Sequence, residues 1–409
     1  MTMGLRVPFP PELTLVAACC RWPRSAQRDA AVRAAAAVPL DWERLERTIA
    51  RHRVVALVQD GLRSAGVALP APLDARLTQQ ARTLAFKGLI MARETVRLQQ
   101  AFDAAGIPAL FVKGAVLAIQ SYRDLGLKQS KDIDLLTVPE QVTAARDLLR
   151  ALGYHMSYPH QADDDRTFAM VVDFYKECEF LNPALGGVAV ELHWRLDDNR
   201  YLIPHVSAAS PAQEVALAGV KVRTLHDEAL FAYLCTHGAS HGWERLKWLA
   251  DAGAFLAGRS AEEVTHLHRA AMALGAGRTS GVALLLLHRL LGLQLTPALL
   301  ADLTRSRITT RLADTAMRCM AHGGGHTEIT IYSSARLRIM IASLFLKEGA
   351  DYARAQAALF WVYPPDRLST PLPPALGFLY HLWRIPGALM RFTRRKVTRA
   401  GGLFRRAPE

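Results

Sequence analysis

The stretch IPALFVKGAVLAIQSYRDLGLKQSKDIDLLTV, residues 107–138, constrains this chain more than any other. It reads as apolar strand, turn, short helix, basic loop and second strand. The second strand carries Asp132-Ile133-Asp134. Side chains alternate across a strand, so both carboxylates emerge on one face, roughly 6.6 Å apart along the backbone, while Ile133 and Leu135 take the other. Two carboxylates converging at the mouth of a sheet repel each other, and a shared divalent cation relieves the repulsion. The rest of the chain is organised around this unit.

Upstream, residues 1–105 read as a helical region. Residues 30–38 form a helix stopped by Pro39, and Asp41 caps the next one, WERLERTIARHRVVALVQDGLRSAG. Its Leu45, Ile49, Val54, Leu57 and Val58 recur at helical spacing, and His52 within it reads as a packed or surface residue. A long helix follows over residues 71–105. From Ile107 the period changes. The run 107–112 is a continuous apolar strand, the mark of burial on both faces. Residues 115–122 make a helix, 132–138 the second strand, and Pro139 opens another helix. Residues 155–170, with Asp163-Asp164-Asp165, read as loop. Strands 174–181 and 188–194 pair through the turn NPALGG, and 214–217 with 221–224 make a second hairpin. Past Leu225 helices return: Asp227 caps EALFAYLCTHGASHGWERLKWLADAGAFL, and others follow to about residue 303 and over 310–357. Residues 360–374 are irregular, and 375–392 are amphipathic ahead of a basic tail. The expected class is α+β with a mixed sheet, divided into residues 1–105, 106–225, 226–370 and 371–409.

Composition narrows the setting. The formal net charge of +13 favours anionic partners, or belongs to a solvated, arginine-rich surface. Five scattered cysteines without a C-x-x-C pair point to reduced thiols and a cytoplasmic location. The apolar run 13–20 follows three prolines and a glutamate and does not read as a signal peptide. No apolar run is long enough to span a bilayer.

Four constellations could carry chemistry. In the strand 188–194, Ala189, Glu191 and His193 share a face opposite Val188, Val190, Leu192 and Trp194. A glutamate between Val190 and Leu192 needs a reason, because a buried lone carboxylate is costly. Joining Asp132 and Asp134 as a third metal carboxylate is one reason; pairing with Arg195 or another base is the other. Lys113, Lys128 and Lys131 flank these acids, as a triphosphate site requires, and Lys113-Gly114 at a helix N-terminus offers free N–H groups. Lys128 and Lys131 read equally as loop lysines in water. His237, His241, Arg245 and Trp248 recur as one helix stripe, able to line a nucleotide cleft or to dock the helix. Gly238 replaces the glutamate of H-E-x-x-H, which argues against zinc. Asp251 is expected to pair with a base. The tail cations Arg391, Arg394, Arg395, Lys396, Arg399, Arg405 and Arg406 could meet an anionic membrane. No nucleophile elbow or P-loop is present.

KGAVLAIQSYRDLGLKQSKDIDLLTV, VELHW and CTHGASHGWERLKWLAD together resemble the uncharacterised nucleotidyltransferase family of the DNA polymerase β-like superfamily, over roughly residues 40–390. The resemblance implies a mixed-sheet minimal nucleotidyltransferase core flanked by helices, and Mg²⁺-dependent transfer of a nucleotidyl group from an NTP. It makes Asp132, Asp134 and Glu191 metal ligands and catalytic residues, with Asp134 or Glu191 nearest the acceptor hydroxyl. Lys113, Gly114, Lys128, Lys131, His237, His241 and Arg245 then become candidates for nucleotide binding. Two departures stand out: Lys113-Gly114 replaces the superfamily's Gly-Ser, and Lys128 stands where relatives commonly have arginine. The expected function is transfer of an NMP to a hydroxyl of an unknown acceptor, with two Mg²⁺ ions and release of pyrophosphate. Nucleic acid is a weak candidate as partner. The rival readings are a non-catalytic nucleotide-sensing or scaffold module, and a peripheral membrane protein acting through its tail.

Overall fold

The structure, a computed structural model, describes residues 7–159, 164–361, 376 and 379–380. Five strands form the central sheet: β1 (Leu110–Phe111), β2 (Asp132–Leu136), β3 (His155–Tyr158), β4 (Glu177–Asn182) and β5 (Val188–His193). Their order is β1-β2-β5-β4-β3, with β2 and β5 parallel and the other pairs antiparallel. A hairpin of β6 (Ala212–Leu217) and β7 (Val220–Leu225) packs beside β1. The class is therefore α+β with a mixed sheet among helices, as the sequence predicts.

Alternation decides which sheet face is dry. Ile133, Leu135, Cys178, Phe180, Val190 and Leu192 are all buried in one cluster with Phe102, Leu149 and Phe168 from three covering helices. Residues 142–151 supply one of these helices and 165–174 another. The opposite face carries the charged side chains. A second cluster joins Leu13, Ile49 and Leu57 near the start of the chain to Phe231, Leu249 and Leu284 far along it. Leu110, Val112 and Leu136 enter this cluster from the sheet, so the two helical ends of the chain pack together against the core unit. The apolar run 13–20 is explained by burial: it lies in the helix Pro11–Cys19, where Leu13, Leu15 and Val16 have no exposed surface.

Several elements differ from the sequence reading. Only Leu110–Phe111 of the run 107–112 pairs as strand. Pro108 has no N–H to give a ladder, and its carbonyl accepts from the Thr137 hydroxyl instead. Within 155–170 the described residues form β3 and the start of the helix Asp165–Phe174, where the sequence reads as loop. Its acidic run is a cap, since the Asp164 side chain accepts from Thr167 N–H; Asp163 lies outside the described residues. The helix at 42–66 is two, Trp42–His52 and Val55–Ser64, broken where Arg53 takes a left-handed φ of 55°. The helix after residue 226 is also two, Asp227–Ser240 and Leu246–Phe255. There Gly242 and Trp243 have φ of 61° and 50°, and the buried Trp243 ring folds back onto Gly238. A Cβ on Gly238 would lie 2.4 Å from that ring, so the break needs glycine. Asp227 is not the cap but the first helical residue, bonded to Arg259 and Gln213. Residues 310–357 are divided among Arg307–Met320, Ser334–Ser343 and Ala350–Trp361. The amphipathic and basic tail falls almost entirely outside the described residues.

Candidate active site

Parallel pairing sets Asp134 directly across from Glu191, and Asp132 across from Ala189. Antiparallel pairing on the other side of β5 sets Glu179 across from Glu191 and Glu177 across from His193. Asp132, Asp134, Glu177, Glu179, Glu191 and His193 thus share one sheet face. Asp134 is 2% exposed and His193 1%. Taking so many acids out of water costs several kcal/mol per uncompensated ion, so the face needs cations.

Lys113 supplies one. It follows β1 after one residue, Val112, and stands just before the helix Gly114–Tyr122. Gly114 makes the turn with φ of 63°, a conformation that favours glycine. The Lys113 Nζ reaches Asp134 Oδ1 at 2.6 Å and lies 5.5 Å from the Tyr233 ring centre. His193 supplies the other. Its Nδ1 is 2.9 Å from Glu177 Oε2, and its Nε2 is 3.4 Å from both Asp134 Oδ1 and Glu191 Oε2. Although these charges are close, Asp134 Oδ1 has hydrogen-bond geometry with neither cation. It is a buried acceptor held mainly by the charge of the Lys113 ammonium 2.6 Å away.

The same crowding moves the titrations. Burial, then the charges of Asp134 and Glu191, push the Asp132 carboxyl up to about 7. Burial acts upward on Asp134 too, but the Lys113 ammonium and His193 outweigh it and hold that carboxyl well below the usual range. For His193, burial favours the neutral ring, and Glu177 with Asp134 and Glu191 overcomes it, so the ring is held as imidazolium. Lys113 likewise stays charged against burial because of Asp134.

The residues fit a hard divalent cation. Asp134, Glu191 and His193 each offer an atom within 4.8 Å of the others. The two carboxylates are the oxygen donors that Mg²⁺ takes, with Asp132 one step along the same face. Asp134 Oδ1 is the buried oxygen without a donor that such an ion would satisfy. His193 completes the group, as the counter-charge of the two carboxylates while its ring is protonated and as a nitrogen donor once it is not.

The other expected site residues divide. Lys128 is committed elsewhere: its Nζ bonds Asp251 Oδ2 at 2.7 Å in a buried pair, so Asp251 does meet a base and Lys128 is not a free phosphate cation. Lys131 is exposed and makes no ion pair among the described residues. His237, His241 and Trp248 come together even though their helix is broken. His241 stacks on Trp248 with centres 4.6 Å apart, and His237 meets His241 edge-on at 4.8 Å. Tyr233 links this cluster to Lys113, its ring 5.8 Å from His237. Burial and the nearby Lys113 charge keep the His237 ring neutral. Arg245 leaves the stripe, because the break turns it toward the Arg51 carbonyl at 2.9 Å and Glu328 at 2.6 Å. Glu191 does not pair with Arg195, which binds the Asp173 and Tyr175 carbonyls. His52 is a packed residue, accepting from the Leu246 N–H through Nδ1.

Three features go beyond the expected set. His193 was visible by alternation alone, being two residues after Glu191. Glu177 required the register of a hairpin. Lys247 required the fold: one turn before Asp251, it has no carboxylate partner among the described residues. Burial and then the charge of Lys128 bring its ammonium down to about 8.

Comparison with known proteins gives one family. The model for an uncharacterised nucleotidyltransferase matches residues 39–292, well over half of the chain. No curated protein and no solved structure matches it. Among the described residues, no helix is long and apolar enough to cross a membrane.

Proposed function

The chain belongs to the uncharacterised nucleotidyltransferase family, and on that premise we propose that it transfers an NMP from an NTP to a hydroxyl of an acceptor, with loss of pyrophosphate. The observation that carries this reading is the pairing of Asp134 with Glu191 across two parallel strands, with Asp132 on the same face. These three carboxylates would hold Mg²⁺, which when bound supplies charge neutralisation for the phosphates and the attacking oxygen. Lys113 and the N-terminus of the helix Gly114–Tyr122 give an ammonium and unpaired backbone N–H groups to the triphosphate. Lys131 and Lys247, which make no close ion pair among the described residues, extend that positive side. His193 keeps Asp134 and Glu191 together from behind, anchored in turn by Glu177. The tyrosine and histidine cluster of Tyr233, His237, His241 and Trp248 walls the side next to Lys113. Catalysis is then mostly positioning and charge compensation, since phosphoryl chemistry asks for little else. Incubation with labelled NTPs, Mg²⁺ and cell extract should release pyrophosphate and label an acceptor. Transfer that survives Asp132→Ala with Asp134→Ala would overturn the assignment.

A further inference from the structure

The acidic face does not end at Glu191. Beyond it lies a cavity of 520 Å³ lined by Ser157, Tyr158, Glu177, Glu179, Leu181 and Glu191. A second of the same size adjoins it through Tyr158 and Glu177 and reaches Asp197, Asp198, Tyr175 and Arg336. Lys113 and Lys131 line neither. A larger cavity of 570 Å³, around His268 and Arg278, shares no residue with either of them. The two adjoining spaces therefore open from the carboxylate side of the site, opposite in charge to the lysines on which a triphosphate would sit.

Their lining runs against the rest of the molecule. The chain carries +13 overall, yet the two cavities present Glu177, Glu179, Glu191, Asp197 and Asp198 against only Lys176 and Arg336. Lys176 and His193 both meet Glu177, and His193 also lies against Glu191, so the acids left without an ion pair among the described residues are Glu179, Asp197 and Asp198. Asp197 is fixed in place: its Oδ1 accepts from Asn199 N–H at 2.9 Å and its Oδ2 from the Ser240 hydroxyl at 2.7 Å. The Tyr158 and Tyr175 rings meet edge-on, 5.7 Å apart, and Tyr158 is 45% exposed at the junction of the two spaces. Fixed carboxylates lining a cavity recognise a charged amine on a carbon framework. The same carboxylates repel a phosphate or a nucleic-acid backbone.

Resting on the transferase reading above, we propose that these joined cavities bind the acceptor, and that the acceptor is a hydroxyl-bearing compound with a protonated amine. Its hydroxyl would lie at Glu191 and its ammonium toward Asp197 and Asp198. The preference is a property of the free cavity and needs neither nucleotide nor metal.

Three matched polyols test it on the full chain without nucleotide or Mg²⁺: glucamine, sorbitol and sorbitol 6-phosphate, titrated at pH 7 and followed by saturation-transfer NMR. Glucamine should bind at least about tenfold more tightly than sorbitol, and sorbitol 6-phosphate more weakly than either, as opposite and like charges in a confined site demand. Asp198→Asn should remove most of the glucamine advantage; its melting curve reports whether it is folded, and the wild-type ranking stands without it. Equal affinities, a preference for the phosphate, or no binding by any of the three overturns the proposal. Pyrophosphate release without an amine preference would sink this inference and leave the transferase reading intact. An amine preference in a protein that turns over no NTP would do the reverse.

Discussion

Two buried lysine–aspartate pairs lie close together in this molecule and differ in one respect. Lys128 and Asp251 meet at 2.7 Å with side chains 7% and 11% exposed, and Lys113 and Asp134 at 2.6 Å with 13% and 2%. Distance and burial do not separate them. Hydrogen bonding does: both Asp251 oxygens have donors, the second being the Tyr122 hydroxyl at 3.1 Å. Asp134 sits among like charges, and its Oδ1 has no well-directed donor. A satisfied buried pair ties a loop to a helix. An unsatisfied one, crowded by Asp132 and Glu191, holds a place that a stronger cation can take.

That contrast makes Asp134 the position where function should fail first. Asp134→Asn should cost about 10³-fold in transfer rate, the upper range for removing one preorganised electrostatic contact, and should lower the melting temperature less than Lys128→Met does, because relief of the repulsion with Asp132 and Glu191 offsets part of the lost pair. Steady-state assays with labelled NTP and a melting curve check both halves; an active, destabilised variant would reverse the roles of the two pairs. Lys128→Met should do the opposite. It leaves Asp251 buried without its cation and should lower stability by about 3 kcal/mol, at the low end for a broken buried pair because Tyr122 still serves one oxygen. Urea unfolding measures this, and adding Asp251→Leu should recover more than half of the loss.

The third prediction concerns the cation itself. Lys113→Met removes the ammonium that competes for Asp134, so Mg²⁺ should bind the variant about tenfold more tightly and raise its melting temperature more than that of the wild type. Calorimetric titration with Mg²⁺ alone reads this; weaker binding would mean that Lys113 assists the metal instead of holding its place. The pH dependence follows with a definite sign. The Asp132 carboxyl, pushed up to about 7, must lose its proton to serve as a ligand. Mg²⁺ affinity should therefore approach its full value about one pH unit above 7, be halved near 7, and fall by up to about tenfold per unit below it. A flat profile from pH 8 to 6 would remove Asp132 from the ligand set.

The sequence disclosed the candidate acidic face better than its surroundings, for a physical reason. Strand alternation is a local rule, so Asp132 with Asp134, and Glu191 with His193, could each be placed on one face of their own strand from spacing, while the family resemblance joined the two sets. Glu177 could be assigned only once the hairpin register was fixed. Lys113 and Lys128 look alike in the chain, each beside the carboxylate strand, and only the helix carrying Asp251 distinguishes them. Helix breaks were the poorest part of the reading. Apolar periodicity continues through Arg53 and through residues 241–245, while the breaks depend on a left-handed arginine and on Trp243 folding over Gly238. The acidic run before residue 165 ends in a helix cap at Asp164, which composition does not separate from loop because polar residues serve both.

Arg245 tests how far that last kind of error reaches, with the smallest effect expected. On an unbroken helix it would lie in line with His237 and His241 and face the nucleotide. In the folded chain it is 12% exposed on its side chain, donating to the Arg51 carbonyl and pairing with Glu328. Its Glu328 partner is 57% exposed, so water screens that contact and most of the value lies in the bond to Arg51. Arg245→Ala should cost about 1 kcal/mol of stability, the worth of one charge-assisted bond partly replaced by water. The KM for NTP should stay within about twofold, because nothing the residue touches would touch phosphate. A large rise in KM at unchanged stability would place the guanidinium in the cleft after all. The positive side of the site would then extend across the helix break to Arg245, and would no longer rest on Lys113, Lys131 and Lys247 alone.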